Sequence, residues 1–344
     1  MSFFDIMKKE LKKHNEYIDN YSDVDKWVDT GSYVLNALLS GSIYGGIPNN
    51  KIVVFAGESS TGKTYFTLGI VSQFLKDNPT GGVFFFETEH AVTEAMLVER
   101  GINEKQLTTV PVVTIQEFRH QALKILDNYK AVPEKDRPPI MFCLDSLGML
   151  STTKEIADTA EGVETKDMTR AQIVKSAFRV LTLKLGQLNV PFIVTNHTYE
   201  TMGMFSTKEM SGGSGLKYAS DYVVFLSRKK EKEGDKVVGH IIHCLNKKSR
   251  LTKENKKVDV LLRYDTGLNR YYGLLDIATD YGIFKKVSTK IELPDGTTVF
   301  QKKILNEPER YFTKDILDQI DAVCAKEFKY GVVQEEENTT DDTE

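Results

Sequence analysis

The sequence predicts an α/β fold with a central, mostly parallel sheet, and three observations carry that prediction. KIVVFAG (51–57), VFFFETE (83–89), IMFCLDS (140–146) and PFIVTN (191–196) are apolar runs that give way to polar residues. Helical stretches at about 66–77, 92–100, 115–129 and 167–189 separate them, the alternation expected of parallel strands with helices on both faces. Between the first run and its helix lies GESSTGKT (57–64), a complete phosphate-loop pattern in the strand–loop–helix setting that the pattern requires.

Each element has its own signal. Phe3, Phe4, Ile6, Met7, Leu11 and Ile18 lie among lysines, which predicts a short amphipathic helix over 3–18, too small to fold alone and in need of a partner surface. The helix at 167–189 is the clearest, with Ala171, Val174, Phe178, Leu181, Leu185 and Leu188 spaced by three and four. After Asp221 the pattern turns strand-rich at 221–227, 237–245 and 258–264. A smaller region follows over 271–332, containing the hairpin-like IELPDGTTVF. The stretch 196–215, NHTYETMGMFSTKEMSGGSG, reads as a loop without regular structure between two strand-like runs. A loop of that length in a compact domain is functional or disordered, and its Met202, Met204 and Phe205 either fold back onto the core or serve a ligand.

Bulk composition narrows the class. A chain of 344 residues, 40% hydrophobic and 27% charged, suits one large soluble domain with appendages, or two domains. Its start interleaves apolar and charged residues and no long apolar run occurs, so neither a secretory signal nor a membrane span is expected, and the expected location is the cytoplasm. Cys143, Cys244 and Cys324 are odd in number and far apart, which fits reduced buried thiols. His240 and His243 are three apart on an expected strand and so face opposite sides, which argues against a shared metal. The net charge of −4 hides an asymmetry. Residues 228–257 hold eleven Lys or Arg against four acids, while 335–344 hold six acids and no base. The basic segment is either a solvated face or the footprint of a phosphate-backbone partner.

The phosphate loop supplies most of the readable chemistry. Backbone N–H groups over Gly57, Glu58, Ser59, Ser60, Thr61 and Gly62 would wrap phosphates, Lys63 would reach the β- and γ-phosphates, and Thr64 would offer its hydroxyl to Mg²⁺. Asp145, at the end of IMFCLDS, is the candidate for the second metal-side group. Glu87 and Glu89 lie two apart at a strand end and would point the same way, so either could activate water. KKSR (247–250) reads most simply as a solvated basic turn.

Taken together, these motifs resemble the RecA recombinase family, and within it the phage recombinases of the UvsX type. The resemblance spans about residues 28–280. It rests on DTGSYVLNALLSG, GGIPNNKIVVFAG, FFFETEHA, LDSLG and GGSGLKYASD, with DMTRAQIVKSAFR and NHTYETMGMFS pointing to the phage branch. It implies a RecA-like P-loop ATPase core over 31–270 and an oligomerisation arm over 1–30. It further implies a small α+β region over 271–332 and an acidic disordered tail over 333–344. By the same resemblance ATP and Mg²⁺ are the cofactors, Glu89 is the catalytic carboxylate, Asp145 the magnesium-side acid and Ser146 its neighbour. Met202, Met204, Phe205, Gly212 and Gly213 would contact DNA, and a second DNA loop would fall near 154–166. Lys248 and Arg250 would reach the neighbouring subunit's ATP, the second standing where relatives carry lysine. His197 stands where bacterial members have a glutamine linking nucleotide to DNA loop, and Met96 where relatives stack an aromatic ring on adenine; the loop from His197 to the glycine pair is slightly shorter than in bacterial members. The implied activity is a DNA-dependent ATPase that forms filaments on single-stranded DNA and pairs it with homologous duplex. Mediator and single-strand-binding proteins are the implied partners, and the setting is the host cytoplasm if the chain is phage-encoded. A helicase-like or phosphotransfer enzyme and a nucleotide-gated assembly protein are the alternatives. The missing amino-terminal domain and arginine-bearing lid argue against the first, and the intact Lys63, Thr64, Glu89 and Asp145 set against the second.

Overall fold

The computed structural model of the chain describes residues 2–13, 23–162, 167–200, 208–211 and 214–331. The amino-terminal helix spans Phe3–Lys13 and leaves Phe3, Phe4, Ile6 and Met7 exposed. A short antiparallel pair, β1 (Trp27–Val28) and β2 (Ile47–Pro48), precedes the main sheet. That sheet holds ten strands: β3 (Ile52–Gly57), β4 (Gly82–Glu87), β5 (Leu107–Pro111), β6 (Ile140–Asp145), β7 (Phe192–Glu200), β8 (Lys208–Met210), β9 (Tyr222–Glu233), β10 (Lys236–Ser249), β11 (Lys257–Arg263) and β12 (Gly267–Leu268). Their order is β12-β11-β10-β9-β3-β7-β6-β4-β5, with β8 paired to β7. From β9 to β5 neighbours run parallel, whereas β10, β11 and β12 continue the sheet antiparallel. This is the expected mostly parallel α/β sheet.

Side-chain alternation along the central strand divides the core into two layers. Val53 and Phe55 pack with Leu38, Phe66 and Leu68 on one face. Ile52, Val54 and Ala56 pack with Phe118, Phe178 and Phe192 on the other, where the rings of Phe178 and Phe192 stack at 6.0 Å. Removing one such fully buried ring costs about 3–5 kcal/mol, so these layers fix the strand register firmly. Register in turn decides which residues meet at the carboxyl edge. Gly57 pairs with His197 across β3 and β7, and Glu87 with Asp145 across β4 and β6.

The region after 270 contains the helix Leu274–Asp280, a three-stranded antiparallel sheet of β13 (Lys285–Val287), β14 (Lys290–Glu292) and β15 (Thr298–Phe300), and the helix Lys314–Phe328. Phe284, Ile304, Phe312 and Ile320 share one hydrophobic cluster with Leu38 and Leu39 of the helix Tyr33–Ser40. Asp321 accepts hydrogen bonds from Ser42 Oγ at 2.7 Å and from the Ile43 N–H at 2.8 Å, so polar contacts reinforce the junction. The three cysteines are buried and unpaired.

Two expectations need correction. The stretch 196–215 is not irregular throughout: β7 continues to Glu200, returns as β8, and a helix follows over Ser214–Ala219. Pairing of Thr198 with Met210 and Glu200 with Lys208 makes its arms a β-ribbon. The segment 154–166 is likewise not merely a charged loop, because Thr153–Ala160 is a helix started by a capping box between Thr152 and Glu155. Asp167 ties this segment to the next helix, accepting from Thr152 Oγ1 at 2.6 Å, Thr169 N at 2.8 Å and Thr169 Oγ1 at 2.7 Å.

Those hydrogen bonds, led by Thr152, hold the Asp167 carboxyl down at about 2. A folded-state value below the unfolded value of roughly 3.9 contributes stability that is fully present above pH ~4 and is lost as pH falls towards ~2. Wild-type melting temperature is therefore expected to drop more steeply across that window than that of Asp167→Asn. Parallel curves in thermal melts at stepped pH would refute the assignment.

Candidate functional site

The phosphate loop leaves β3 at Gly57 and enters the helix Lys63–Asp77 at Gly62, whose φ of 93° is the left-handed conformation that favours glycine. Lys63 is buried, and its ammonium donates to the carbonyls of Gly57 at 3.0 Å and Glu58 at 2.9 Å. Burial pushes this lysine below the usual range, against the opposing pull of the Asp145 and Glu89 carboxylates. Thr64 Oγ1 donates to Asp145 Oδ2 at 2.5 Å, and Thr195 Oγ1 donates to the other carboxylate oxygen. Burial raises the Asp145 carboxyl while these two hydroxyls lower it. A hydroxyl and a carboxylate set side by side beside a buried ammonium form a donor set suited to a magnesium–phosphate group. The cleft they line has a volume of about 660 Å³.

The two glutamates separate. The strand stops at Glu87, so the two-residue alternation that would align them does not reach Glu89. Glu87 is buried, and its Oε1 accepts the Val92 N–H at 2.7 Å, closing the turn made by His90 at φ 52°. Glu89 emerges into the cleft instead. Its Oε1 accepts from Ser146 Oγ at 2.8 Å and lies 3.3 Å from His197 Nε2. Thr88 sets this arrangement, its N–H donating to Asp145 O at 3.0 Å and its Oγ1 accepting the Ser146 N–H at 2.8 Å.

At the root of the ribbon, Asn196 is fully buried and ties β7 to the segment at Ser211. Its amide donates to Ser211 O at 2.8 Å, and its Oδ1 accepts from Ser211 Oγ at 2.7 Å and from the His197 N–H at 2.9 Å. Gly148 packs against this knot. A Cβ there would stand 2.9 Å from Ser211 Oγ and 3.0 Å from the His197 ring, so any larger residue would have to push these side chains aside. Glu89, the turn at Ser146 beside Asp145 and the ribbon root thus form one connected system.

Lys248 and Arg250 lie outside this cleft. Lys248 Nζ donates to the carbonyls of Lys217 at 2.7 Å, Tyr218 at 3.4 Å and Ser220 at 2.6 Å, and Arg250 Nε pairs with Asp221 Oδ1 at 3.1 Å. Both cations are satisfied by groups of the same chain. Met202, Met204, Phe205, Gly212 and Gly213 lie outside the described residues. The cleft is also lined by residues that sequence reasoning did not assign to it: Arg228, His240, Leu262 and Tyr264, together with Met96. The Arg228 guanidinium lies 3.4 Å from His240 Nε2, and Tyr264 is exposed with its ring edge-to-face to His240 at 5.6 Å. Alternation along a strand was the available signal, since His240 and His243 face apart and His243 instead bonds Asp259 at 2.7 Å.

Residues 11–269 match the family model of the RecA N-terminal domain. The chain belongs to the RecA family. This RecA-family chain is 34% identical over 253 residues to the recombination and repair protein of Enterobacteria phage T4, an alignment covering 74% of this chain and 63% of that protein. It therefore spans just under two thirds of that phage relative's length. It is also 27% identical over 321 residues to the protein RecA of Streptomyces rimosus, covering 91% of this chain and 79% of the relative. With the protein RecA of Paenarthrobacter aurescens the identity is 26% over 323 residues, 91% of this chain and 86% of the relative. No helix among the described residues is long and apolar enough to cross a membrane.

Proposed function

We propose that this chain is a DNA-dependent ATPase that assembles as a helical filament on single-stranded DNA and carries out homologous pairing and strand exchange in recombination and repair. The observation that supports this best is the hydrogen-bonded system running from Glu89 through Ser146 and His197 to the root of the ribbon. A change in the ribbon is felt at the carboxylate beside the phosphates, which is what coupling of DNA binding to hydrolysis needs. The names of the relatives, recombination and repair protein and RecA, agree with it.

In this reading the loop Gly57, Glu58, Ser59, Ser60, Thr61 and Gly62 cradles the phosphates of ATP, and Lys63 exchanges its carbonyl partners for phosphate oxygens. Thr64 and Asp145 hold Mg²⁺, which when bound neutralises phosphate charge. Glu89 orients and deprotonates the attacking water, and His197 reports the state of that carboxylate to the ribbon. Met202, Met204 and Phe205 stack on or wedge between bases, with Gly212 and Gly213 giving the backbone room. Lys248 and Arg250 serve the neighbouring subunit's ATP. The work is cytoplasmic, with mediator and single-strand-binding proteins as partners.

Electron microscopy with single-stranded DNA and a slowly hydrolysed ATP analogue, beside ATPase assays with and without DNA, tests the proposal. Helical filaments and DNA-stimulated turnover are expected. Closed rings would favour a helicase, and DNA-indifferent or absent turnover would favour an assembly protein.

A further inference from the structure

The ribbon of β7 and β8 touches the nucleotide site with both of its strands. One contact is that of His197 with Glu89. The other joins residues 150 positions apart: Lys208, which opens β8, places Nζ 2.6 Å from Glu58 Oε1. Glu58 follows Gly57 in the phosphate loop, and its backbone carbonyl accepts from Lys63 Nζ at 2.9 Å and from Thr61 Oγ1 at 2.7 Å. The residue that Lys208 grips by its side chain therefore grips Lys63 by its backbone. To reach a phosphate, Lys63 has to leave that carbonyl.

We infer that the Lys208–Glu58 ion pair is a positioning latch between ribbon and phosphate loop, through which a polyanion bound at the ribbon changes nucleotide affinity. The inference rests on the proposed binding of single-stranded DNA at the ribbon. A DNA phosphate competes with the Glu58 carboxylate for the Lys208 ammonium, because both are anions that accept charge-assisted hydrogen bonds. Once Lys208 turns to DNA, Glu58 no longer tethers the loop in the arrangement that engages Lys63. By linkage, nucleotide that draws Lys63 away and reshapes the loop must alter DNA affinity by the same factor. Lys208 and Glu58 are both substantially exposed, so the pair is worth a modest amount, and its share of the coupling is about two- to five-fold. The remainder passes through His197, on the other strand.

The test is a double-mutant cycle on coupling, not on activity. Affinity for a non-hydrolysable ATP analogue is measured with and without saturating single-stranded oligonucleotide, and the ratio of the two is the readout. Lys208→Gln and Glu58→Gln are each expected to bring that ratio about two- to five-fold closer to one. The double variant should lose no more than either single variant. The reversed pair, Glu58→Lys with Lys208→Glu, should recover most of the ratio and thereby show that the fold is intact, and Lys208→Arg should keep it. Wild-type ratios in both single variants, additive losses, or a reversed pair no better than the double variant would overturn the latch. A wild-type ratio of one would instead overturn the DNA reading on which the latch rests.

Discussion

Glu89→Gln is expected to bind ATP about as tightly as the wild type while hydrolysing it at least about a hundred-fold more slowly. The side chains are nearly isosteric, so the contacts to Ser146 and His197 have equivalents in the amide. What disappears is the carboxylate's ability to take a proton from water, and that matters in the transition state and not in the ground state. Glu87→Gln provides the contrast. Because Glu87 is buried and closes the turn at Val92, its replacement should appear in thermal stability before it appears in turnover. Nucleotide binding by fluorescence titration and turnover by phosphate release separate the two effects. Normal turnover in Glu89→Gln would remove Glu89 from the proposed mechanism.

The second large effect concerns cations supplied between subunits. Lys63→Ala alone, and Lys248→Ala with Arg250→Ala in one chain, are each expected to abolish most ATPase activity. Co-assembled on single-stranded DNA they should restore part of it, because about a quarter of randomly formed interfaces would join an intact phosphate loop to intact cations, and a cation supplied in trans accelerates such reactions by about 10³–10⁵. The observed hydrogen bonds add a condition. Lys248 is bound by carbonyls at the end of the helix Ser214–Ala219 and Arg250 by Asp221, so both must exchange these partners to reach a neighbour's phosphate. Burial and the nearby Arg250 lower the Lys248 ammonium, against the opposing pull of Asp221 and Glu254. No recovery in filaments shown to contain both proteins would confine these cations to their own subunit.

Residues with local chemistry were legible in the sequence, and residues positioned by distant contacts were not. The strands of the parallel core announced themselves because each is an apolar run, and the phosphate loop because its pattern is contiguous. β5 has no such signal. As an edge strand it exposes Thr108 and Thr109, so no continuous apolar run marks it. The helix Thr153–Ala160 buries none of its residues, so no apolar period marks it, and the capping box from Thr152 to Glu155 was its only sequence trace. The basic run after 228 left a solvated face and the footprint of a phosphate-backbone partner open, and composition gave no sign that β9 and β10 carry it as a long hairpin with Arg228 and His240 lining the cleft. Alternation suggested that Glu87 and Glu89 would point the same way, whereas β4 ends at Glu87 and the turn at His90 sends the two side chains to different places.

The knot at Asn196 bears on how such a chain can vary. Asn196, His197 and Ser211 are bound to one another directly, so the two feet of the ribbon are joined by two bonds of the Asn196 side chain, by the Ser211 N–H to His197 O bond at 2.9 Å and by the close approach of Gly148. Closing a flexible segment of twice the length costs only about 0.6 kcal/mol more. A change of length above the knot therefore leaves its two feet in place, and it can reach the phosphate loop only through the contacts that the ribbon itself makes, those of His197 with Glu89 and of Lys208 with Glu58.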